Sequence, residues 1–335
     1  MPIPTSENRI VQLLKNRYSG KSRSLKRGIG DDAAVIRPGH AEEYWVITTD
    51  MMLEQIDFRR EWTTPRRLGS KSIAVNLSDL AAMGARPRFF TVSLAIPSRI
   101  SERWIMDFYQ GLTASGNAGG ARLIGGDLSR SKSGIIISVA AFGESLNRKI
   151  LYRSGGRAGD FLYVTGVLGR SAAGLRLLQV GRTHPRSHSQ KEAIQIHQTP
   201  VPRCEAGIWL AQCGLVSCMM DLSDGLSTDL PRMCAASAVG AEIHLADLPV
   251  FADSAKWDCD PVALALNGGE DYELLLAVPS SKSRLFEKQY PAKFPRITKV
   301  GRMTRDSGKI FVIGPDKRRI PLKEQGFDHF RNKHA

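Results

Sequence analysis

Nine acidic side chains could do chemistry: Asp31, Asp32, Asp50, Asp79, Asp127, Asp221, Asp224, Glu270 and Asp271. Nearly all fall at a strand end, a glycine turn or a helix start. No His-rich or Cys-rich group accompanies them, so the donor set is oxygen alone. Oxygen donors suit Mg²⁺, which is held by carboxylates together with substrate phosphates and water. Carboxylates that cannot all ionise together without cations point to more than one Mg²⁺. Phosphoryl transfer is the natural use of such a set, because the cations offset charge on the moving group. Neither G-x-x-x-x-G-K-[ST] nor a kinase catalytic loop occurs, so any ATP must be held by Asp-bound Mg²⁺ and glycine turns. G-x-S-x-G is absent as well, and the seven His lie mostly in loops or near the end of the chain, which leaves a Ser–His–Asp hydrolase unsupported.

Residues 64–87 are the element that must position much of this. Thr64 is a candidate N-cap and Pro65 suits the first helical position. Ile73, Leu77, Leu80, Ala81 and Met83 give an apolar face, and Gly84 followed by Pro87 gives the stop. Asn76 and Asp79 are set into this apolar helix. A carboxylate there is costly without a cation or dense hydrogen bonding; the alternative is a helix-terminal, solvent-facing acid. Asp31–Asp32, after Gly28-x-Gly30, read either as a turn or as metal ligands on a flexible backbone. A dinucleotide fingerprint fails there, since Ala33 takes the third glycine position and no helix follows.

The remaining elements follow in order. Residues 7–18 read as a short amphipathic helix, 33–36 as the start of a strand, and 44–48 as a strand with Thr49 and Asp50 at its end. Residues 87–97 read as a strand and 101–115 as a helix carrying Tyr109. A strand then leads into a double glycine and Asp127, and 133–144 form a strong strand. A second half begins near Asn147. It contains a turn followed by a strand within 149–169, a helix at 169–180, a polar loop at 181–190, and a helix at 204–213. A short strand and Asp-rich turn precede a helix capped by Ser223 or Asp224. Strands follow near 241–250, 272–279, 299–304 and 309–314. Alternating strands and helices give an α/β (α+β) class.

The 335 residues exceed one ordinary core and suit two domains, placed at 1–148 and 149–335. The 42% hydrophobic and 24% charged content is that of a globular protein. With no apolar signal core and no membrane-length apolar run, a cytoplasmic protein without a membrane partner is expected. The five Cys contain no C-x-x-C, so neither zinc nor a disulfide frame is indicated. The net charge of +14 suits polyanionic small substrates or a solvated surface. Its basic residues are scattered and not interleaved with aromatics, which argues against nucleic acid as a partner.

The segments GIGDDAAVI, TTD (48–50), AVNLSDLAAMGA (74–85), LIGGD (123–127), YRSGGRAGD (152–160), MDLSDGL (220–226), GGEDYEL (268–274) and GFDHF (326–330) together resemble thiamine-monophosphate kinase. The resemblance spans about residues 25–330, in one order. It implies a two-domain aminoimidazole ribonucleotide synthetase-like fold, in which an N-terminal mixed-sheet domain dimerises and a C-terminal α/β domain completes the site. It also implies transfer of the ATP γ-phosphate to thiamine monophosphate, giving thiamine diphosphate, with Mg²⁺ ions, ATP as co-substrate and a homodimer. On that pattern Asp32, Thr48, Thr49, Asp50, Asp79, Asp127, Asp221 and Asp224 take metal-binding positions, with Asp32, Asp50, Asp79, Asp127 and Asp224 central to catalysis. Tyr109, Gly126, Asp127, Arg153 and Ser223 take nucleotide positions. Glu270 and Phe327 lie on the thiamine side, where a carboxylate suits a cationic thiazolium or a polar pyrimidine and an aromatic face suits a flat ring. Phe327 read on its own is equally a core aromatic of the last segment.

One departure matters. The family usually reads T-T-D-x-L-V-E-G-V-H-F, and here the stretch is TTDMMLEQIDF. Asp57 stands at the substrate-side His and Gln55 at the Gly. A carboxylate beside a substrate phosphate repels it unless a metal or Arg59/Arg60 intervenes. The alternative is therefore a related ATP-dependent enzyme acting on another phosphorylated ligand. Selenophosphate synthetase is disfavoured because every Cys lies after residue 200, and the hydrogenase maturation protein because the chain ends FRNKHA without its Cys. A non-catalytic nucleotide-binding or nucleic-acid-binding protein is the reading from another class.

Overall fold

A computed structural model describes residues 6–20, 22–39 and 41–330. Helix α1 (Glu7–Tyr18) starts at Ser6, whose side chain accepts from the Arg9 amide. Strands β1 (Leu25–Arg27), β2 (Ala34–Ile36) and β3 (Trp45–Leu53) precede helix α2 (Pro65–Ala82). Strand β4 (Arg86–Ile96), helix α3 (Glu102–Ala118), strand β5 (Arg122–Arg130) and strand β6 (Ile136–Glu144) complete the first sheet. Its order is β1-β2-β3-β6-β4-β5. Only β4 and β5 run parallel, and α3 provides the long crossover that a parallel pair requires.

The second half contains β7 (Phe161–Thr165), α4 (Arg170–Gln179), α5 (His188–Gln198), α6 (Cys204–Gln212), β8 (Cys218–Asp221), α7 (Leu226–Ser237) and β9 (Gly240–His244). It continues through α8 (Pro261–Asn267), β10 (Leu274–Val278), α9 (Ser283–Gln289), β11 (Ile297–Thr304), β12 (Ile310–Ile313) and β13 (Arg319–Pro321). The seven strands are ordered β13-β12-β9-β11-β7-β10-β8. Every residue of β8 and β10 is buried. Strands covered on both faces read as continuous apolar runs, which is why CMM and LLLAV do not alternate.

Helix α2 joins the halves. Thr64 caps it by accepting from the Arg67 amide, and Pro65 occupies its first turn, as its sequence dictates. Thirteen of its 18 residues are buried, because α2 packs on the first sheet, on α3, and also on β8 and α6. Ile73, Leu77 and Leu80 share one core with Met219, Leu274 and Phe286 of the second half. A helix covered on all sides carries no polar stripe. Contact between α2 and α3 is backbone to backbone at Gly111, where an added Cβ would stand 1.8 Å from the Arg66 carbonyl oxygen. Gly111→Ala is expected to cost about 3 kcal/mol by overpacking, read as a lower urea midpoint at unchanged slope.

The structure corrects several boundaries. Strand β3 does not end at Thr49 and Asp50 but runs to Leu53. The double glycine is no turn, since β5 passes straight through Gly125, Gly126 and Asp127. A Cβ at Gly126 would meet the Val92 carbonyl oxygen at 2.0 Å, so the glycine allows close approach to β4. Neither Ser223 nor Asp224 caps α7. Gly225 holds that position, and Asp229, one turn on, accepts the amides of Asp224 and Gly225. Helix α5 begins inside the stretch read as a polar loop. Among the described residues no helix is long and apolar enough to cross a membrane.

Candidate active site

Three carboxylates from distant parts of the chain converge. Asp32 comes from the turn before β2, Asp79 from the last turn of α2 and Asp221 from the end of β8. One oxygen of each lies within 4.8 Å of the others. Thr48 donates to Asp79 Oδ2 (2.5 Å) and Ser78 to Asp221 Oδ2 (2.6 Å). Asp50 lies beside Asp79, its amide held by Asn76 Oδ1 (3.2 Å), whose Nδ2 donates to the Ser72 carbonyl oxygen (3.2 Å). Asn76 thus fixes β3 to α2, which accounts for an amide inside an apolar helix.

The electrostatics are those of a crowded anion site. Burial raises the Asp79 carboxyl well above its ordinary value, and Asp50, Asp221 and Asp32 push it further. Burial, then Asp32, does the same to Asp221. Burial lifts Asp50 to about 6. Arg153 donates from Nε (3.0 Å) and Nη2 (2.6 Å) to Asp32 Oδ1. Burial opposes the Arg153 charge, but Asp32 more than offsets it and raises its pKa above the ordinary guanidinium value. Asp32 Oδ2 is buried and has no hydrogen-bond partner. A buried, orphaned carboxylate oxygen on a residue clustered with two further carboxylates fits a hard divalent cation. Asp31 plays a different part: it accepts from the Arg153 amide (3.1 Å) and pairs with Arg27 (2.9 Å), securing the turn.

Asp224 lies on the adjacent loop and pairs with Arg232 (2.5 Å). Ser223 lends its carbonyl oxygen to the Glu270 amide (2.7 Å), tying this loop to the GGEDYE loop. Glu270 and Tyr272 adopt left-handed backbone conformations (φ 65° and 50°). Between them Asp271 accepts the amides of Gly169 (2.6 Å) and Ser171 (3.0 Å) at the start of α4. Glu270 pairs with Lys71 (2.6 Å) and His197 (3.1 Å). Phe327 is no core aromatic. It is 36% exposed, lies edge-on to His329 (4.7 Å) and donates its amide to the Asp224 carbonyl oxygen (3.1 Å).

Four expected residues lie elsewhere in this chain. Thr49 alternates to the opposite face of β3 from Thr48 and Asp50, and its hydroxyl donates to the Val139 carbonyl oxygen. Asp127 is exposed on β5, an edge strand separated from β3 by β6 and β4, and its register partner is Ser93. Gly126 is exposed beside it. Tyr109 is half-buried on α3 and packs edge-on to Phe108. None of these four belongs to the Asp32–Asp79–Asp221 cluster within one chain: a change of sheet face separates Thr49, two intervening strands separate Gly126 and Asp127 from β3, and Tyr109 sits on α3. Conversely, sequence reasoning missed Ser78, Lys71, His197, Arg232 and Glu7. Lys71 in an apolar helix was the visible signal. Glu7 approaches Asp224 from α1; burial and then Asp224 raise its carboxyl.

Residues 30–145 match the N-terminal domain of AIR synthase related protein and residues 157–313 the C-terminal domain. The chain is 36% identical over 322 residues to the thiamine-monophosphate kinase of Escherichia coli (strain K12), covering 94% of this chain and 96% of the relative. It is 33% identical over 312 residues to that of Bacillus subtilis (strain 168), covering 92% and 94%. A solved structure of AaThiL complexed with AMPPCP and TMP superposes with a TM-score of 0.84 at 30% identity, covering 97% of each chain. A cluster of acids on two AIR synthase-type domains, with relatives of this similarity along nearly the whole length, places the chain in the thiamine-monophosphate kinase family.

Proposed function

We propose that this chain phosphorylates thiamine monophosphate with the γ-phosphate of ATP, giving thiamine diphosphate and ADP, with Mg²⁺ as the cation. The observation that carries the reading is the convergence of Asp32, Asp79 and Asp221 with one orphaned oxygen among them. Asp32, Thr48, Asp50, Asp79, Asp221 and Asp224 would hold the cations. Bound Mg²⁺ supplies charge neutralisation for the transferred phosphoryl group. Arg153, 20% exposed beside Asp32, has the fork geometry for a nucleotide phosphate. Ser223 and Asp224 sit where the nucleotide and the GGEDYE loop would meet, and Glu270 and Phe327 border the acceptor. An assay coupled to ADP formation, with thiamine diphosphate detected as product, tests the reading. ADP release without thiamine diphosphate would overturn it.

The remaining residues fit a homodimer. Helices α2 and α3 cover one face of the first sheet. The other face presents half-buried Trp45, Ile47, Phe89 and Phe142, with Met51 57% and Ile136 37% exposed. A second copy laid on that face would enclose Thr49 and Asp127, which share it. Sedimentation at twice the chain mass is the expected result, and a monomer at micromolar concentration would remove the idea.

Asp57 favours the second reading, a different phosphorylated acceptor, only in part. Its Oδ2 accepts the Leu53 amide (2.7 Å) within a turn that holds Gln55 at φ 75°. Burial raises its carboxyl, and Glu270 adds to the rise. Asp57→His removes one anion beside the acceptor. It is expected to raise kcat/KM for thiamine monophosphate about tenfold, while loss of the turn hydrogen bond costs about 1 kcal/mol of stability. An unchanged or lower kcat/KM would show that Asp57 does not set acceptor preference.

A further inference from the structure

The Glu270 side chain is 27% exposed, whereas its two partners are closed off, Lys71 at 5% and His197 at 7%. Lys71 Nζ takes Oε1 (2.6 Å) and His197 Nδ1 takes Oε2 (3.1 Å), the same nitrogen lying 3.1 Å from Ser171 Oγ. Three separate elements meet here: α2 brings Lys71, the end of α5 brings His197, and the loop before β10 brings Glu270. The end of α5 is anchored across the halves, because Gln198 donates to the Trp62 carbonyl oxygen and accepts from Arg67 (2.7 Å). Phe58, Trp62, Lys71 and His197 line the small cavity alongside.

Burial alone would raise the Glu270 carboxyl, but Lys71 and then His197 bring it down to about 2, so it stays ionised. Burial and then Lys71 lower His197, so it stays neutral at physiological pH. The group is therefore a carboxylate already matched by one ammonium ion. A second fixed cation would have to share that single negative charge in a half-desolvated place. A neutral N–H donor meets no such cost, because each carboxylate oxygen keeps one unoccupied acceptor site.

Resting on the kinase reading above, we propose that Lys71 and His197 are positioning residues that hold Glu270 as the acceptor for a neutral ring amine of the substrate. On this assignment Glu270 selects the amino-substituted heteroaromatic ring and does not act as counter-ion to the thiazolium.

The charged groups around His197 are Lys71 from α2, Glu270, and Arg59, which lines the same small cavity from the segment after β3; Ser171 from α4 offers a hydroxyl only. Glu270 in turn raises the carboxyl of Asp57, in the turn after β3, through space. The test is calorimetric binding of thiamine monophosphate and of its analogue with the ring amine replaced by a carbonyl, without ATP, from pH 6.0 to 8.5. The wild type is expected to prefer the amine by at least about 100-fold at every pH, and Lys71→Arg to keep a flat profile. In Lys71→Met the ammonium is gone and Glu270 raises the His197 pKa. Binding should then weaken about tenfold at pH 8.5 and recover at pH 6.0, where protonated His197 replaces Lys71. Adding His197→Asn should abolish the recovery. Equal wild-type affinity for both ligands, or a Lys71→Met profile as flat and tight as wild type, overturns the assignment. Should Lys71→Met fail to fold, the wild-type ratio decides alone. Tight amine-selective binding without ADP formation would count against the kinase reading and leave this one standing.

Discussion

Asp79→Asn is expected to lower kcat/KM at least about 1,000-fold and, in protein stripped of divalent cations, to raise the melting temperature. The two effects have one cause. Asp79 shares a space with Asp32 and Asp221, with Asp50 beside it, and among the described residues Arg153 is the one cation paired with Asp32. The amide keeps the shape and can still accept from Thr48, but it removes a carboxyl that the fold must otherwise protonate or neutralise. Relief of about 1–3 kcal/mol is in line with buried ionisable groups that lack full compensation. With saturating Mg²⁺ the order should reverse, because the wild type gains a bound cation that the variant holds poorly. Calorimetry with and without Mg²⁺, alongside the ADP assay, reads both effects. Near-normal turnover by the variant would mean that the cluster is not the catalytic centre.

The second large effect is a stability that depends jointly on pH and divalent cation. Burial raises Asp31 and Asp50 to about 6, and Asp229 and Asp271 to about 7, from an ordinary 3.8. Acids with raised folded-state values contribute stability that is complete below about pH 4 and is lost as the pH climbs through 6 to 7. Without divalent cations the melting temperature should therefore fall by about 5 °C between pH 5.5 and 8. Mg²⁺ offsets the loss only for acids that face the cluster, so its stabilising effect should be larger at pH 8 than at 5.5. A Mg²⁺ increment independent of pH would contradict the picture of carboxylates protonated in the absence of metal.

Much of the fold could be read from local chemistry. The Thr64–Pro65 start of α2, the Ser101 cap of α3 and the run of β10 are written in neighbouring residues. Helix α5 was not, since only Ala193 and Ile194 of its apolar residues are buried and its first turn, His188–Gln190, is wholly polar. The acids were visible as types, but their meeting depends on long-range packing: α2 must lie between two sheets before Asp79 can reach both Asp32 and Asp221. Thr48 and Thr49 differ for a simpler reason. A strand taken to end at Thr49 lets both hydroxyls face one site, whereas a strand running to Leu53 sends them to opposite faces. The extended backbone at Asp127 was not legible because GGD has the composition of a turn, and its parallel register with β4 reveals it. The family resemblance named Glu270 but not its partners, because Lys71 and His197 reach it only through the tertiary fold.

Helix α2 touches both sheets at once, so the chain has no neutral place to be cut. Separating the two halves at the middle would strip one flank of this helix and bare Leu77 and Leu80 to solvent. Either half must carry a scar fitted to the other, and any insertion that widens one sheet has to be answered across the helix by its neighbour.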